Sequence, residues 1–155
     1  MTQPKWVLEP DAAEHLAIST VTLRLMRREG RLTAGRDWIY LTGSKGNDVL
    51  QGDNGNDILK GSNGKDYLDG SKGIDVLIGG KGADVFQISK GVDIIEDFKI
   101  KQGDRIGLDK KGKYSIIDDS DGVLIMASAK KQLFLEGLDY DDVLAAGVAL
   151  FVQAV

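Results

Sequence analysis

The chain has no cysteine and a single histidine, His15. That excludes disulfide frameworks, thiolate zinc sites, thiol nucleophiles and multi-histidine metal centres, and leaves oxygen as the ligand atom on offer. No apolar run approaches the ~20 residues of a membrane span. The N-terminus lacks the basic-then-apolar layout of a cleaved leader, so any export is expected by another route. The net charge of -4 over 155 residues is too mild for wholesale attraction to nucleic acid or to an anionic membrane surface. Catalytic signatures are missing as well. There is no HExxH helix, no GxSxG elbow with a histidine partner, and "GSNGKD" lacks the upstream glycine of a phosphate loop. "DDSDG" (Asp118 to Gly122) lacks the closing glutamate of an EF-hand. The expectation is a non-catalytic protein, with His15 on a helix surface.

What the chain does have is glycine, unevenly placed. Residues 1–42 hold two, Gly30 and Gly35, whereas residues 43–82 hold eleven of the twenty. Three zones follow: an N-terminal unit over 1–37, a glycine-rich middle over 38–96, and an ordinary mixture of strands, turns and a helix over 97–155.

In the first zone, "DAAEHLAISTVTLRLMRREGRL" places Pro10 in a first helical turn and gives Ala12, Ala13 and Leu16 as a short apolar face. Ser19 then caps a second helix that ends at Gly30. On that helix Val21, Leu25 and Met26 face inward and Thr20, Thr22, Arg24, Arg27 and Arg28 face out. The pattern resembles the winged helix-turn-helix of mercury-regulator and phage-excisionase type proteins. The resemblance implies that the five outer residues contact DNA and that "GRDWIYLTG" begins a wing, but the chain runs from there straight into glycine repeats. With six basic against five acidic side chains in residues 1–42, phosphate-driven affinity is weak, and the other reading is a helical cap on the middle zone.

The middle zone repeats every nine residues: "GSKGNDVLQ" from Gly43, "GDNGNDILK" from Gly52, "GSNGKDYLD" from Gly61, "GSKGIDVLI" from Gly70 and "GGKGADVFQ" from Gly79. Positions one, four and six are always Gly, Gly and Asp. A sixth unit, "ISKGVDIIE" (Ile88 to Glu96), keeps Gly91, Asp93 and Ile95 and reads as a closing half-turn. Position eight is always large and apolar: Leu50, Leu59, Leu68, Leu77, Phe86 and Ile95. One such side chain per repeat cannot make a globular core, but stacked repeats align them into a column, so the zone is a solenoid. Two glycines in nine exclude helix, at ~0.5–1 kcal/mol per unfavourable residue. Strand is confined to positions seven to nine, and two turn-plus-strand units make an 18-residue coil whose parallel strands stack about 4.8 Å apart.

Stacking brings like charges together. Asp48, Asp66 and Asp84 form one file of turns, and Asp57, Asp75 and Asp93 the other. Repulsion of about 1 kcal/mol per pair at 4 Å in water, and more beside an apolar core, opens the coil unless a cation lies between. Calcium suits the gap. It takes six to eight oxygens, and the turns offer carboxylates together with carbonyls expected to lie outside any hydrogen-bond ladder. Magnesium demands a tighter octahedron, and zinc or copper would want nitrogen or sulfur.

The units resemble the GGxGxDxUx repeat of RTX (hemolysin-type) calcium-binding proteins. The resemblance implies a mainly β fold, a right-handed parallel β-roll, and about three or four Ca2+ ions held between turns n and n+2. It carries the ligands onto the side chains of Asp48, Asp57, Asp66, Asp75, Asp84 and Asp93. Backbone carbonyls at positions one and three are implied too: Gly43, Lys45, Gly52, Asn54, Gly61, Asn63, Gly70, Lys72, Gly79 and Lys81. Ions are expected between Asp48 and Asp66, Asp66 and Asp84, Asp57 and Asp75, and Asp75 and Asp93. Position two departs from the motif, with Ser44, Asp53, Ser62 and Ser71 in place of glycine.

Extracellular calcium modules bind at ~10⁻⁴–10⁻³ M, so the middle zone is expected unfolded in the cell and folded outside it. The family implies type I export through an uncleaved C-terminal signal. The tail "DYDDVLAAGVALFVQAV", with Asp139 as N-cap and Asp142 in the first turn, fits either such a signal or a core-packing helix and strand. The segments "DRIGL", "YSIID", "GVLIMA" and "QLFLEG" are expected strands of a cap with one helix. The leading reading is a secreted calcium-binding roll. The alternatives are a cytoplasmic DNA-binding protein carrying a roll, and a surface or adhesive module.

Overall fold

The computed structural model describes residues 40–109 and 114–153. The helix-turn-helix reading, including Thr20, Thr22, Arg24, Arg27 and Arg28, lies outside the described residues. Along the repeats run β1 (Tyr40–Thr42), β2 (Val49–Gln51), β3 (Ile58–Asn63), β4 (Tyr67–Asp69), β5 (Lys72–Gly73), β6 (Val76–Lys81), β7 (Val85–Gln87) and β8 (Lys90–Ile95). Beyond them come β9 (Arg105–Leu108), β10 (Ser115–Asp119), β11 (Gly122–Ser128), β12 (Lys131–Glu136), the helix α1 (Tyr140–Ala146) and β13 (Phe151–Gln153).

The strands form two sheets. One is ordered β1-β3-β6-β8-β12-β11-β10, with β5 also on β8, and the other β13-β9-β7-β4-β2. Within the repeats every pairing is parallel and joins residues eighteen apart, as in Ile58 with Val76 and Tyr67 with Val85. The coil is therefore two nonapeptides, one strand in each sheet, as the period predicts. Between β7 and β9 the step lengthens: Val85 pairs with Arg105, and a 3-10 turn at Ile100–Gln102 absorbs the two additional residues.

The expected apolar column is two columns. Leu41, Leu59, Leu77 and Ile95 stack in register in one sheet; Leu50, Leu68, Phe86 and Ile106 stack in the other. They belong to one core. Leu59, Leu68, Leu77, Phe86, Ile95 and Ile106 are fully buried, each stabilising the roll by roughly 1.5–3 kcal/mol.

Strands β9 to β13 continue both sheets. β12 pairs in parallel with β8, setting Leu135 on Ile95, and β13 pairs in parallel with β9, setting Phe151 on Ile106. β10, β11 and β12 form an antiparallel meander that carries the first sheet outward. The four strands expected of the cap are all present, and Asp139 caps α1 by accepting from Asp141 N at 2.8 Å. Val143 and Leu150 are buried, so the tail packs into the core as helix, 3-10 turn and strand. Among the described residues no helix is long and apolar enough to cross a membrane.

Candidate metal centre

Each nonapeptide turns through its first six residues and re-enters a sheet at position seven, so every position-six aspartate stands where the turn meets the core. Asp57, Asp66, Asp75, Asp84 and Asp93 are each at most 1% exposed. The structure brings them into the two files expected. Each file is tied by a bond that the charge argument did not anticipate, from the backbone N–H of one aspartate to Oδ1 of the aspartate one coil on. Asp48 donates to Asp66 at 2.8 Å, Asp66 to Asp84 at 2.9 Å, Asp57 to Asp75 at 2.7 Å and Asp75 to Asp93 at 3.3 Å. One oxygen each of Asp66, Asp75, Asp84 and Asp93 thus joins the coils.

The second oxygen is the informative one. Oδ2 of Asp66, Asp75 and Asp84 is buried and accepts no hydrogen bond. A carboxylate oxygen left so is costly, because removal from water is uncompensated. Its surroundings are oxygen. A Cβ added to Gly52 would stand 2.7 Å from Asp57 Oδ2 and 2.8 Å from the carbonyl oxygen of Gly70, one coil away. At Gly43 the corresponding neighbours are Asp48 Oδ2 at 2.7 Å and Gly61 O at 2.5 Å. A side-chain oxygen of repeat n and a position-one carbonyl of repeat n+2 therefore converge at Gly43, Gly52 and Gly61, where any larger residue would fill the space between them. The donor set is all oxygen and anionic, which fits a hard divalent cation and calcium in particular.

Two corrections follow. The position-three carbonyls are not outside a ladder: those of Asn63, Lys72 and Lys81 accept from the N–H of Gly46, Gly55 and Gly64 at 2.8–3.0 Å. Their backbones are held by the same coil-to-coil stacking that fixes the aspartates. The first file is also longer than the repeats. Asp104, which does not fall on the nine-residue period, accepts from Asp84 N at 3.0 Å and is 3% exposed. Gln102 occupies the expected place, and its Oε1 accepts from Gly82 N instead. The clue in the sequence is Gly103-Asp104-Arg105-Ile106, which keeps the Asp-to-apolar spacing of positions six and eight.

Both files end on carboxylates that the chain itself satisfies. Asp104 Oδ2 accepts from Lys99 N at 2.7 Å, and Asp93 Oδ2 from Ser89 Oγ at 2.6 Å. Asp97 accepts from Gly79 N and Gly80 N, both at 2.8 Å. Past Asp93 the next residue in register is Leu133, so the second file ends against an apolar side chain.

Burial raises the acids. Asp75 is pushed up to about 9 by desolvation, with the charges of Asp93 and Asp57 adding to it. Desolvation likewise pushes Asp84 and Asp93 up to about 6, and Asp104 above the usual carboxylate range. In the rolled chain without metal, burial therefore favours protons on these groups.

Residues 33–68, 42–77 and 60–95 match the family model described as the RTX calcium-binding nonapeptide repeat (4 copies). The roll is built of RTX calcium-binding repeats. Among solved structures, the RTX roll is similar to the AlgE6R3 subunit of the Azotobacter vinelandii mannuronan C5-epimerase. That match has 29% identity and a TM-score of 0.54, and covers 77% of this chain and 82% of that one. The AlgE6R2 subunit of the same enzyme matches at 24% identity and a TM-score of 0.49, over 74% of this chain and 92% of that one. No curated protein matches the chain.

Proposed function

We propose that the chain is a non-catalytic calcium module whose roll forms only when calcium is bound, and that it works outside the cell. The observation that carries this reading is the buried, unbonded Oδ2 of Asp66 and Asp75, one in each file of carboxylates. A bound Ca2+ would supply the missing partner and cancel the repulsion along each file.

The ligands proposed are Oδ2 of Asp48, Asp57, Asp66 and Asp75 with the position-one carbonyls one coil on, such as Gly61 and Gly70. Three ions lie between Asp48 and Asp66, Asp66 and Asp84, and Asp57 and Asp75. A fourth lies between Asp75 and Asp93. Because the site does not exist in the unfolded chain, metal affinity is folding free energy. Affinities of ~10⁻⁴–10⁻³ M, usual for extracellular modules, would leave the chain unrolled at cytosolic calcium and rolled after export. An unrolled chain suits passage through a type I exporter.

The AlgE6R3 subunit belongs to an epimerase. Here the buried aspartates are engaged by the backbone ladder and, on this reading, by the ion, so none is left to act as acid or base. The test is circular dichroism of the whole chain during calcium titration from micromolar to millimolar. The expected result is a cooperative gain of β signal that chelator reverses. No gain would overturn the proposal, and an equal response to magnesium alone would overturn the choice of ion.

A further inference from the structure

We infer that Asn54 and Asn63 are sites of spontaneous deamidation that the calcium-loaded roll holds shut, so that a chain kept without calcium loses its capacity to roll. The inference rests on the calcium reading above.

The fold makes both asparagines reactive by what it places after them. Position four is glycine in all six units, with φ between 123° and 144°. Nothing larger fits: a Cβ on Gly64 would run into the carbonyl oxygen of Gly46, and one on Gly73 into that of Gly55. Position three is free by comparison. It holds Lys45, Asn54, Asn63, Lys72, Lys81 and Lys90, all exposed, so an asparagine in that slot is always followed by glycine. With no side chain on the next residue to hinder it, the main-chain nitrogen reaches the asparagine's amide carbon and closes a five-membered ring.

The step exchanges one nitrogen for another. Gly55 N or Gly64 N gives up its proton and bonds to Cγ of the preceding asparagine, the Cγ–Nδ2 bond breaks, and ammonia leaves with that proton. Water then opens the cyclic imide at either carbonyl, giving aspartate or isoaspartate. One water is consumed and one ammonia released, with no oxidation or reduction.

In the roll both nucleophiles are engaged. Gly55 N donates to Lys72 O at 3.0 Å and Gly64 N to Lys81 O at 2.8 Å. The asparagines are pinned as well, Asn54 in a bridge to Lys72, and Asn63 at the end of β3 in register with Lys81 and bridged to Lys45. Ring closure has to break these rungs, so it waits for local opening. In the unrolled chain the rungs do not exist. Asn47 and Asn56 mark the contrast: each precedes an aspartate, and their Oδ1 atoms accept from Lys65 N at 2.9 Å and Ile74 N at 3.0 Å.

The isoaspartyl product lengthens the main chain by one carbon between positions three and four. There Asn63 O accepts from Gly46 N at 2.9 Å while Gly64 N donates to Lys81 O, so a single event misplaces rungs to the coils on both sides. Both asparagines share their turns with the cradles at Gly52 and Gly61. The change does not reverse, and the damaged turn no longer brings the calcium ligands together.

The experiment incubates the full chain at mildly alkaline pH in millimolar calcium or in chelator. Intact mass, peptide maps and isoaspartate labelling by a methyltransferase follow the modification, and circular dichroism after calcium is restored follows the roll. In chelator, a gain of one mass unit per event is expected at Asn54 and Asn63 ahead of Asn47 and Asn56. Calcium is expected to slow it about tenfold or more, equivalent to at least ~1.4 kcal/mol for opening the rungs. The recovered β signal should fall as isoaspartate accumulates. The double variant Asn54→Lys and Asn63→Lys, carrying the residue that four other units use, should keep its signal through the same incubation. A signal lost as fast in the variant as in the parent overturns the inference, and should the fresh variant fail to roll, the parent's two rates decide alone. Equal rates in calcium and chelator, or no modification in chelator, beside a normal calcium-induced β signal, overturn this inference and leave the calcium reading standing. Absence of that signal in the fresh parent overturns both.

Discussion

The backbone N–H of Asp84 donates to the carboxylate of Asp104 at 3.0 Å although twenty residues separate them, two more than in any other rung of the file. Asp104 also holds Lys99 N at 2.7 Å, so one side chain closes the ladder and anchors the 3-10 turn that makes room for it. Asp104→Ala strands both donors, at about 1–3 kcal/mol for each buried unsatisfied group. Thermal unfolding in saturating calcium should fall by roughly 5–10 °C. Asp104→Asn keeps one acceptor and should lose about half as much. A melt unchanged in the alanine variant would show that the last rung is not held by this carboxylate.

Gly61 tests the cradle. A Cβ there would meet Asp66 Oδ2 and the carbonyl oxygen of Gly79, the two oxygens proposed to share an ion. Gly61→Ala should move the calcium midpoint, read by circular dichroism, upward by about tenfold or more, since even ~1.4 kcal/mol of lost site energy is a factor of ten. Gly137→Ala is the comparison: it carries a left-handed penalty that Gly61 does not, with φ of 69°, but has nothing within 4 Å of the added carbon. Its stability should drop while its calcium midpoint shifts far less.

Asp53 holds φ at 70° without being glycine, a conformation costing roughly 1–2 kcal/mol for an L-residue. Its side chain is exposed. Asp53→Gly should therefore raise stability in calcium by about 1 kcal/mol after allowing for the greater freedom of an unfolded glycine. Chemical denaturation at fixed calcium would measure it, and a loss of stability would refute the account.

The raised acids fix the sign of the pH response. Asp84 and Asp93 rise to about 6 and Asp75 to about 9 in the rolled chain, from about 3.9 when unfolded. The rolled form thus binds more protons than the unfolded one between those values, and its metal-free stability falls as pH rises from about 4 through about 6 and on toward 9. The calcium-free protein should gain β signal on acidification from about pH 8 to pH 5, and its calcium affinity should weaken over the same range as protons compete for the carboxylates. A calcium midpoint independent of pH would contradict the burial of these groups.

The period of nine made most of the roll legible, because glycine, aspartate and leucine each occupy one fixed slot and stacking allows a single arrangement. The coil length, the files of Asp48 and Asp57, and the cap strands all followed from local pattern. Asp104 did not, because the 3-10 turn at Ile100–Gln102 shifts it off the period, and an insertion of two residues is visible only once Val85 is paired with Arg105. The N–H to carboxylate bonds also escaped. A charge argument sees aspartates repelling, whereas the geometry that lets Asp75 Oδ1 accept from Asp57 N depends on the turn's three-dimensional course. The burial of Ile58, Val76 and Ile94 at position seven was missed for a similar reason: alternation assigns that slot to the outer face.

The ladder of aspartates has a direction. In every rung the donor belongs to the earlier coil and the acceptor to the later one. Trimming the roll from its N-terminal side leaves a carboxylate that water readily hydrates, and every remaining aspartate N–H keeps its carboxylate acceptor. Trimming from the other side strips Asp84 of Asp104 and uncovers the apolar columns that Leu135 and Ile106 continue. The ladder is accordingly polarised: each coil taken from the front leaves the aspartate bonds behind it intact, whereas a coil taken from the back breaks one.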